Sequence, residues 1–378
     1  MLKAAIIVGT RPEAIKMAPI ALEMKRRDGI EPVLVLTAQH RQMCDDVLEV
    51  FSLEPDYDLD IMKPNQSLFE VTARLARRLE EVFAAERPDI VLVQGDTTST
   101  FMGGLCAYYL KIPVGHVEAG LRTFNKYSPF PEEVNRRLTT VVSDLHFAPT
   151  AVARDLLLEE GIPEGDVFVV GNPVIDALLY VAGKDYEFTD RALRDIDFEN
   201  RRVIAITAHR RESWGKPFDD MMKALREIAA AHEDVLVVFP VHPNPNVRES
   251  VDRNLKGADR VLLVEPLDYM QFVKLLKSCH FIITDSGGIQ EEAPSLGKPV
   301  LLMREVTERP EGVEAGAVRV VGTAREDIVA AASALLDSEK EYRKMVIEEN
   351  PYGDGHTAGK ITDIVMERID QEGKPLAL

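Results

Sequence analysis

Short runs rich in Val, Ile and Leu recur from end to end of this chain, separated by longer amphipathic stretches. The runs do not alternate apolar with polar residues, so each suits a strand buried on both faces. Strand, helix, strand, repeated many times, requires parallel sheets joined by right-handed crossovers. Candidate strands lie at 3–8, 32–37, 90–94, 112–116, 144–147 and 166–170, then at 202–207, 234–239, 260–264, 280–284, 298–303 and 317–321. Helical patterns fill most gaps, for example 67–86 and 217–232. Between the two series, 171–200 carries no strand signal, and Gly-Asn-Pro opens a charged, helical passage. At 378 residues the chain is long enough for two domains with separate cores. The expected fold is α/β: two Rossmann-like doubly wound domains facing each other across a cleft, divided into 1–170 and 171–355.

Composition narrows the partners. A net charge of −18 argues against nucleic acid, yet leaves room for a locally basic cleft that holds an anionic substrate. No run approaches the ~20 apolar residues of a membrane span, and no secretory leader is expected ahead of Lys3-Ala4-Ala5-Ile6. Cys44, Cys106 and Cys279 are scattered and odd in number, which fits a reducing cytoplasm rather than a disulfide framework. No H-E-x-x-H, paired cysteines or acidic loop suggests a metal, so none is expected.

In open parallel sheets ligands bind beyond the carboxyl ends of strands, so polar residues just after a strand carry the information. The first such place is "VGTRPEAIKMAP" at 8–19, where Gly9 permits a tight turn, Thr10 is a plausible cap and Pro12 suits a first helical turn. Arg11 and Lys16 then stand near a helix N-terminus that already attracts anions. The second is "VQGDTTST" at 93–100, whose Asp96 either caps the next helix or takes part in chemistry. Glu118 in "GHVEAGLRT" and Glu132 in "SPFPEEVNRR" follow in the same domain. A first-turn glutamate alone is often only dipole-complementary. Three carboxylates at one sheet edge raise one another's pKa and suit acid/base work.

The second domain reads differently. His209, Arg210 and Arg211 follow a buried strand in "AITAHRRESWGKPF" and favour anion contact. His242 in "PVHPNP" fits either a contact or a rigid loop. In "TDSGGIQEEAPSLGKPVL", Ser286, Gly287 and Gly288 leave a strand and open a helix, so amides, hydroxyl and dipole converge on phosphate. Glu292, a turn later, suits the vicinal hydroxyls of a ribose, and Arg309 suits a diphosphate. A ligand with base, ribose, diphosphate and a further group is a nucleotide-sugar.

These same segments, "GTRPEAIKMAP", "QGDTTST", "HVEAGLRT", "SPFPEEVNRR", "HRRESWGKP", "HPNP" and "TDSGGIQEEAPSLGKPVL", closely resemble the non-hydrolysing UDP-N-acetylglucosamine 2-epimerases, in order and over almost the whole chain. The resemblance implies a glycosyltransferase-B-like fold, a homodimer, no cofactor and a role in envelope polysaccharide synthesis. It also implies a C-terminal helix, 356–372, packed back on the first domain. By the same resemblance Asp96, Glu118 and Glu132 are the acid/base carboxylates, with His209 in the catalytic set. Arg11, Lys16, Arg136, Phe272, Ser286, Gly287, Gly288, Glu292 and Arg309 become substrate contacts. "AQHRQM" resembles the wall of an activator pocket for a second UDP-GlcNAc, implicating Gln39, His40 and Gln42.

The chemistry agrees with the resemblance. The C2 proton of N-acetylglucosamine is not beside a carbonyl and is weakly acidic. Either a neighbouring carbon is oxidised with NAD, or the C1 substituent leaves as C2 loses its proton. The first strand is not followed by G-x-G-x-x-G, which disfavours the NAD route. Anti elimination of UDP to 2-acetamidoglucal and re-addition, under a closing pair of domains, is expected. Two alternatives stay open at this stage: a 2-epimerase of a C3- or C6-modified UDP-HexNAc, and a UDP-sugar glycosyltransferase of the same fold. A nucleotide-sugar sensor would not need three intact carboxylates.

Overall fold

The computed structural model describes residues 1–37, 41–63 and 66–369, the side chains at 41–43 excepted. The chain forms two compact units: Met1–Ala177 together with the chain from Tyr352 onward, and Leu178–Pro351.

The first unit is built on Leu2–Val8 (β1), Ile30–Leu36 (β2), Tyr57–Asp58 (β3), Ile90–Gln94 (β4), Val114–Val117 (β5), Leu145–Ala148 (β6) and Val167–Val169 (β7). They form one parallel sheet in the order β3-β2-β1-β4-β5-β6-β7. Most strands were legible as apolar runs. The exception is β3, a two-residue pairing on the edge of β2 that is too short to leave a periodic signal. The helix Leu68–Glu86 covers one face through Val71, Leu75, Leu79, Val82 and Phe83, a helical spacing that points one stripe inward. Ser67 starts that helix, accepting from the Glu70 amide at 3.3 Å while the Glu70 carboxylate accepts from the Ser67 amide at 2.8 Å. Leu75 is fully buried, and truncation to alanine costs ~2–5 kcal/mol at such a site. The helix Thr357–Arg368 packs on the helix Arg11–Arg26, and Arg27 meets Asp363 at 3.0 Å.

The second unit uses Arg202–Thr207 (β8), Val235–Pro240 (β9), Val261–Val264 (β10), Phe281–Thr284 (β11), Val300–Leu302 (β12) and Val318–Val320 (β13), in the order β10-β9-β8-β11-β12-β13. Successive residues of β8 divide between two faces. Ile204 and Ile206 join Phe218, Met221, Met222 and Leu225 of the helix Lys216–Ala231, while Val203 and Ala205 join Leu275 and Leu276 on the other side. In both sheets the order reverses beside the first strand, at β1/β4 and at β8/β11. Helices then leave to opposite faces there and open a crevice beyond the strand ends.

Candidate active site

In the first unit the loops after β1, β4 and β5 meet. Gly9 makes this possible, because a Cβ there would lie 2.5 Å from the Ser99 hydroxyl oxygen and 2.7 Å from its Cβ. Glu13 then ties the loops together. Its Oε2 accepts from the amides of Gly9 (2.8 Å) and Thr10 (2.6 Å), and its Oε1 accepts from the hydroxyls of Thr97 (2.6 Å) and Thr100 (2.8 Å). Burial pushes the Glu13 carboxyl upward, and these bonds work against that. The loop carrying Arg11 is thereby fastened to the loop carrying Asp96.

Asp96 does not cap the next helix. Thr97 does, accepting from the Thr100 amide at 3.1 Å, and the Asp96 carboxylate pairs instead with the Arg136 guanidinium. Asn135 donates to the Asp96 carbonyl at 3.0 Å, so the helix Glu132–Val142 holds the Asp96 loop by two contacts. Glu118, directly after β5, is buried in a left-handed conformation at φ 62°. That conformation costs a non-glycine residue about 1–2 kcal/mol and persists only where its surroundings impose it. They do so here: Lys16 Nζ lies 2.7 and 2.6 Å from the two carboxylate oxygens, Asn172 Nδ2 donates at 2.9 Å, and Gln94 donates as well.

Glu132 has the opposite environment. It opens its helix, and its Oε2 is buried with no hydrogen-bond partner among the described residues. A bare buried carboxylate oxygen is disfavoured unless it meets a donor. The next residue, Glu133, is structural: it accepts from the amides of Thr123 (3.0 Å) and Phe124 (3.2 Å) and from Arg136 (3.1 Å). Beneath the carboxylates lies His116, whose pKa burial lowers to about 3, so it is neutral. Its Nε2 meets the Gly95 carbonyl at 2.8 Å and steadies the residue before Asp96.

In the second unit the ends of β8 and β11 are neighbours, Thr207 facing Thr284. This pairing brings the His209 loop beside Ser286, Gly287 and Gly288. A Cβ on Gly287 would stand 2.9 Å from Arg309 Nη1 and 3.6 Å from Arg210 Nη2, so both guanidiniums overlie the start of the short helix Gly287–Glu292. Ser286 occupies the cap position, yet its hydroxyl makes no cap bond. Glu291 is buried against Arg309, which separates the roles of the adjacent pair; Glu292 is the more exposed, with Oε1 3.3 Å from the position of a Gly288 Cβ. Glu308 completes the charge pattern. Burial alone would raise its pKa, but bidentate bonding from Arg304 at 2.7 and 3.0 Å, with the charges of Arg304 and Arg210, holds it at about 2. The His209 ring stacks on His242, centroids 5.2 Å apart. Phe272 is half-buried on the helix Tyr269–Ser278, packed against the core.

The first unit thus gathers carboxylates beyond its strands, and the second gathers arginines over the start of the short helix Gly287–Glu292. The family model for UDP-N-acetylglucosamine 2-epimerase matches residues 22–366. The chain belongs to that family. Within the 2-epimerase family, the Bacillus subtilis UDP-N-acetylglucosamine 2-epimerase is 52% identical over 364 residues, covering 96% of this chain and 94% of that protein. The Neisseria meningitidis 2-epimerase, solved bound to UDP-GlcNAc, superposes with a TM-score of 0.88 at 48% identity, covering 97% of this chain and all of that one. The Methanocaldococcus jannaschii enzyme, solved with UDP-GlcNAc and UDP, gives 0.77 at 35% identity, covering 97% and 100%.

Sequence reasoning left Glu13, Gln94, His116, Asn172 and Asp285 outside the candidate set of this 2-epimerase. Gln94 carried a signal, a polar residue ending an otherwise apolar strand. Gln39 and His40 lie outside the described residues, as does the side chain of Gln42. Among the described residues no group of three or more His, Cys, Asp or Glu gathers as metal ligands, and no helix is long and apolar enough to cross a membrane.

Proposed function

We propose that this chain interconverts UDP-N-acetylglucosamine and UDP-N-acetylmannosamine by inverting C2. The observation that carries the reading is the unequal environment of three carboxylates at one sheet edge: Glu118 saturated by donors, Asp96 paired with Arg136, Glu132 with a bare buried oxygen. A carboxylate takes the proton from C2 and becomes a carboxylic acid, the C2–H electrons form the C1=C2 bond, and the C1–O electrons depart with UDP. The glycal then regains a proton on its other face as UDP re-adds at C1. Two faces need more than one proton carrier, and a poorly solvated Glu132 suits that work. Glu118, held by Lys16, Gln94 and Asn172, suits stabilisation of the cationic C1.

The first unit thus supplies the acid/base groups, with Arg11, Lys16 and Arg136. The second supplies the UDP contacts: His209 and Arg309 for the diphosphate, the Ser286 hydroxyl with the amides of Gly287 and Gly288, and Glu292 for the ribose. Phe272 joins this set. Relatives solved with UDP-GlcNAc support the substrate. The product feeds envelope polysaccharide synthesis in the cytoplasm, and buried free thiols at Cys44, Cys106 and Cys279 suit a reducing compartment. A homodimer is supported by the exposed stripe Val134, Leu138 and Val141 on the helix Glu132–Val142, beside exposed Tyr108 and Tyr109 at the end of the helix Thr98–Tyr109 packed against it, and Leu110 just after. A second UDP-GlcNAc acts as activator, so the rate should rise sigmoidally with substrate. Proton NMR of purified protein with UDP-GlcNAc and no NAD should reveal UDP-ManNAc; unchanged substrate removes the reading.

A further inference from the structure

Asp285 is the fully buried residue that leaves β11 and precedes Ser286. Its Oδ2 accepts two backbone amides of the neighbouring loop, His209 N at 2.7 Å and Arg210 N at 2.8 Å. Its Oδ1 has no hydrogen-bond partner among the described residues, although it is shielded from solvent. The nearest cation-capable group is the imidazole of His209, with Nδ1 3.6 Å away. One carboxylate therefore fixes the main chain of His209 with one oxygen and aims the other at its ring. A bare, buried acceptor calls for an explanation. A small rotation of the His209 ring, whose side chain is 43% exposed, closes the gap. Contacts of this kind are commonly long without ligand and tighten in the complex.

We propose that Asp285 is a positioning residue for His209, setting its tautomer as well as its place. The inference rests on the reading of the second unit as the UDP contact. An acceptor facing Nδ1 selects the Nδ1–H form of the neutral ring and supports the imidazolium when it forms. Nε2 then points away from Asp285, with its hydrogen, in the charged form, available to a diphosphate oxygen that gains charge as the C1–O bond breaks. No covalent step is involved; the charge on the departing group meets a fixed donor. The stacked His242 ring limits how far His209 turns, and among the described residues Asp285 is the carboxylate beside its Nδ1.

Asp285→Asn separates anchoring from tautomer control. Its amide oxygen can still accept from His209 N and Arg210 N, while its NH2 group faces Nδ1 and demands an acceptor there. The neutral ring is then driven to the Nε2–H form, and the imidazolium, which needs an acceptor at Nδ1 as well, loses its support, so the departing diphosphate meets a neutral donor in place of a charged one. The expected result is turnover down by at least ~100-fold, the scale of mis-set acid/base groups, with KM within about threefold of the parent. Asp285→Asn should add nothing further in a His209→Ala background. Nitrogen-15 NMR of histidine-labelled parent protein, at a pH where the ring is neutral and with the His209 signal assigned by its loss in His209→Ala, should find the proton on Nδ1. A proton on Nε2 in the parent, or full turnover in Asp285→Asn, overturns the proposal. The tautomer measurement decides the matter even if the variant does not fold. Failure of the parent to epimerise UDP-GlcNAc would instead defeat the functional reading, and that assay is separate from the tautomer.

Discussion

The two units share one scaffold and differ in what leaves their strands. Both run a parallel sheet whose order reverses beside the first strand, and both bury Val, Ile and Leu on two faces. Beyond those strands the first unit places Asp96, Glu118 and Glu132, with Lys16 and Arg136 as partners. The second places His209, Arg210, Arg309 and the amides of Gly287 and Gly288. The fold sets where a ligand meets the chain, and the few residues after each strand set what happens to it. Loss of a first-unit carboxylate should therefore fall on turnover, and loss of a direct nucleotide contact in the second unit on affinity; Asp285, which acts on the departing group through His209, is the exception and should show in turnover.

The largest effect expected is on the first side of that division. Asp96→Asn, Glu118→Gln and Glu132→Gln should each cut turnover by ~10²–10⁴-fold while UDP affinity by calorimetry stays near the parent value. Three variants turning over at the parent rate would return these residues to structural duty.

Buried histidines sharpen the comparison next. Burial lowers His116 to about 3, with His280 of the second unit, only half-buried, at about 4. Both lie below the ordinary value near 6.5, so below that pH the unfolded chain binds protons that the folded chain refuses, and stability falls as pH falls. Each histidine contributes a slope of about 1.4 kcal/mol per pH unit within its window. His116→Gln should flatten the slope of stability by that amount from pH 6.5 towards 3. His280→Gln should do so over a narrower range, ending near 4. Carboxyls raised by burial, such as Glu13 and Asp176, act in the opposite sense and are common to all the variants compared. Denaturant titrations at several pH values read these slopes, followed by far-ultraviolet circular dichroism for both units and by the single tryptophan, Trp214, for the second. Parallel slopes in parent and His116→Gln would show that His116 is not held neutral.

Smaller effects belong to the direct nucleotide contacts of the second unit. Glu292→Ala should weaken UDP binding by about tenfold, or ~1.4 kcal/mol, with the first-unit chemistry intact. Gly287→Ala should weaken it by a few-fold, because the Cβ displaces Arg309, a flexible neighbour, rather than backbone. Unchanged UDP affinity in Glu292→Ala would remove its ribose contact.

How much of this was legible in the sequence follows from range. Strands such as Ile90–Gln94 and Phe281–Thr284 announce themselves because burial on both faces is a local pattern. Asp96, Glu118 and Glu132 were visible because each follows a strand or opens a helix. Their partners were not: Lys16 and Glu118 are 102 residues apart, Asp96 and Arg136 are 40 apart, and only the sheet order brings them together. Asp285 and Glu13 were missed for the same reason, since an acidic residue near a strand end does not reveal which loop it will fasten.

The central claim is that the first unit's carboxylates move a proton at C2 while UDP departs. Epimerisation of UDP-GlcNAc in D2O, followed by proton NMR, tests it most directly. Deuterium should appear at C2 of UDP-ManNAc, and the amide variants should leak UDP and 2-acetamidoglucal. Product that keeps protium at C2, with no free glycal from any variant, would contradict the account.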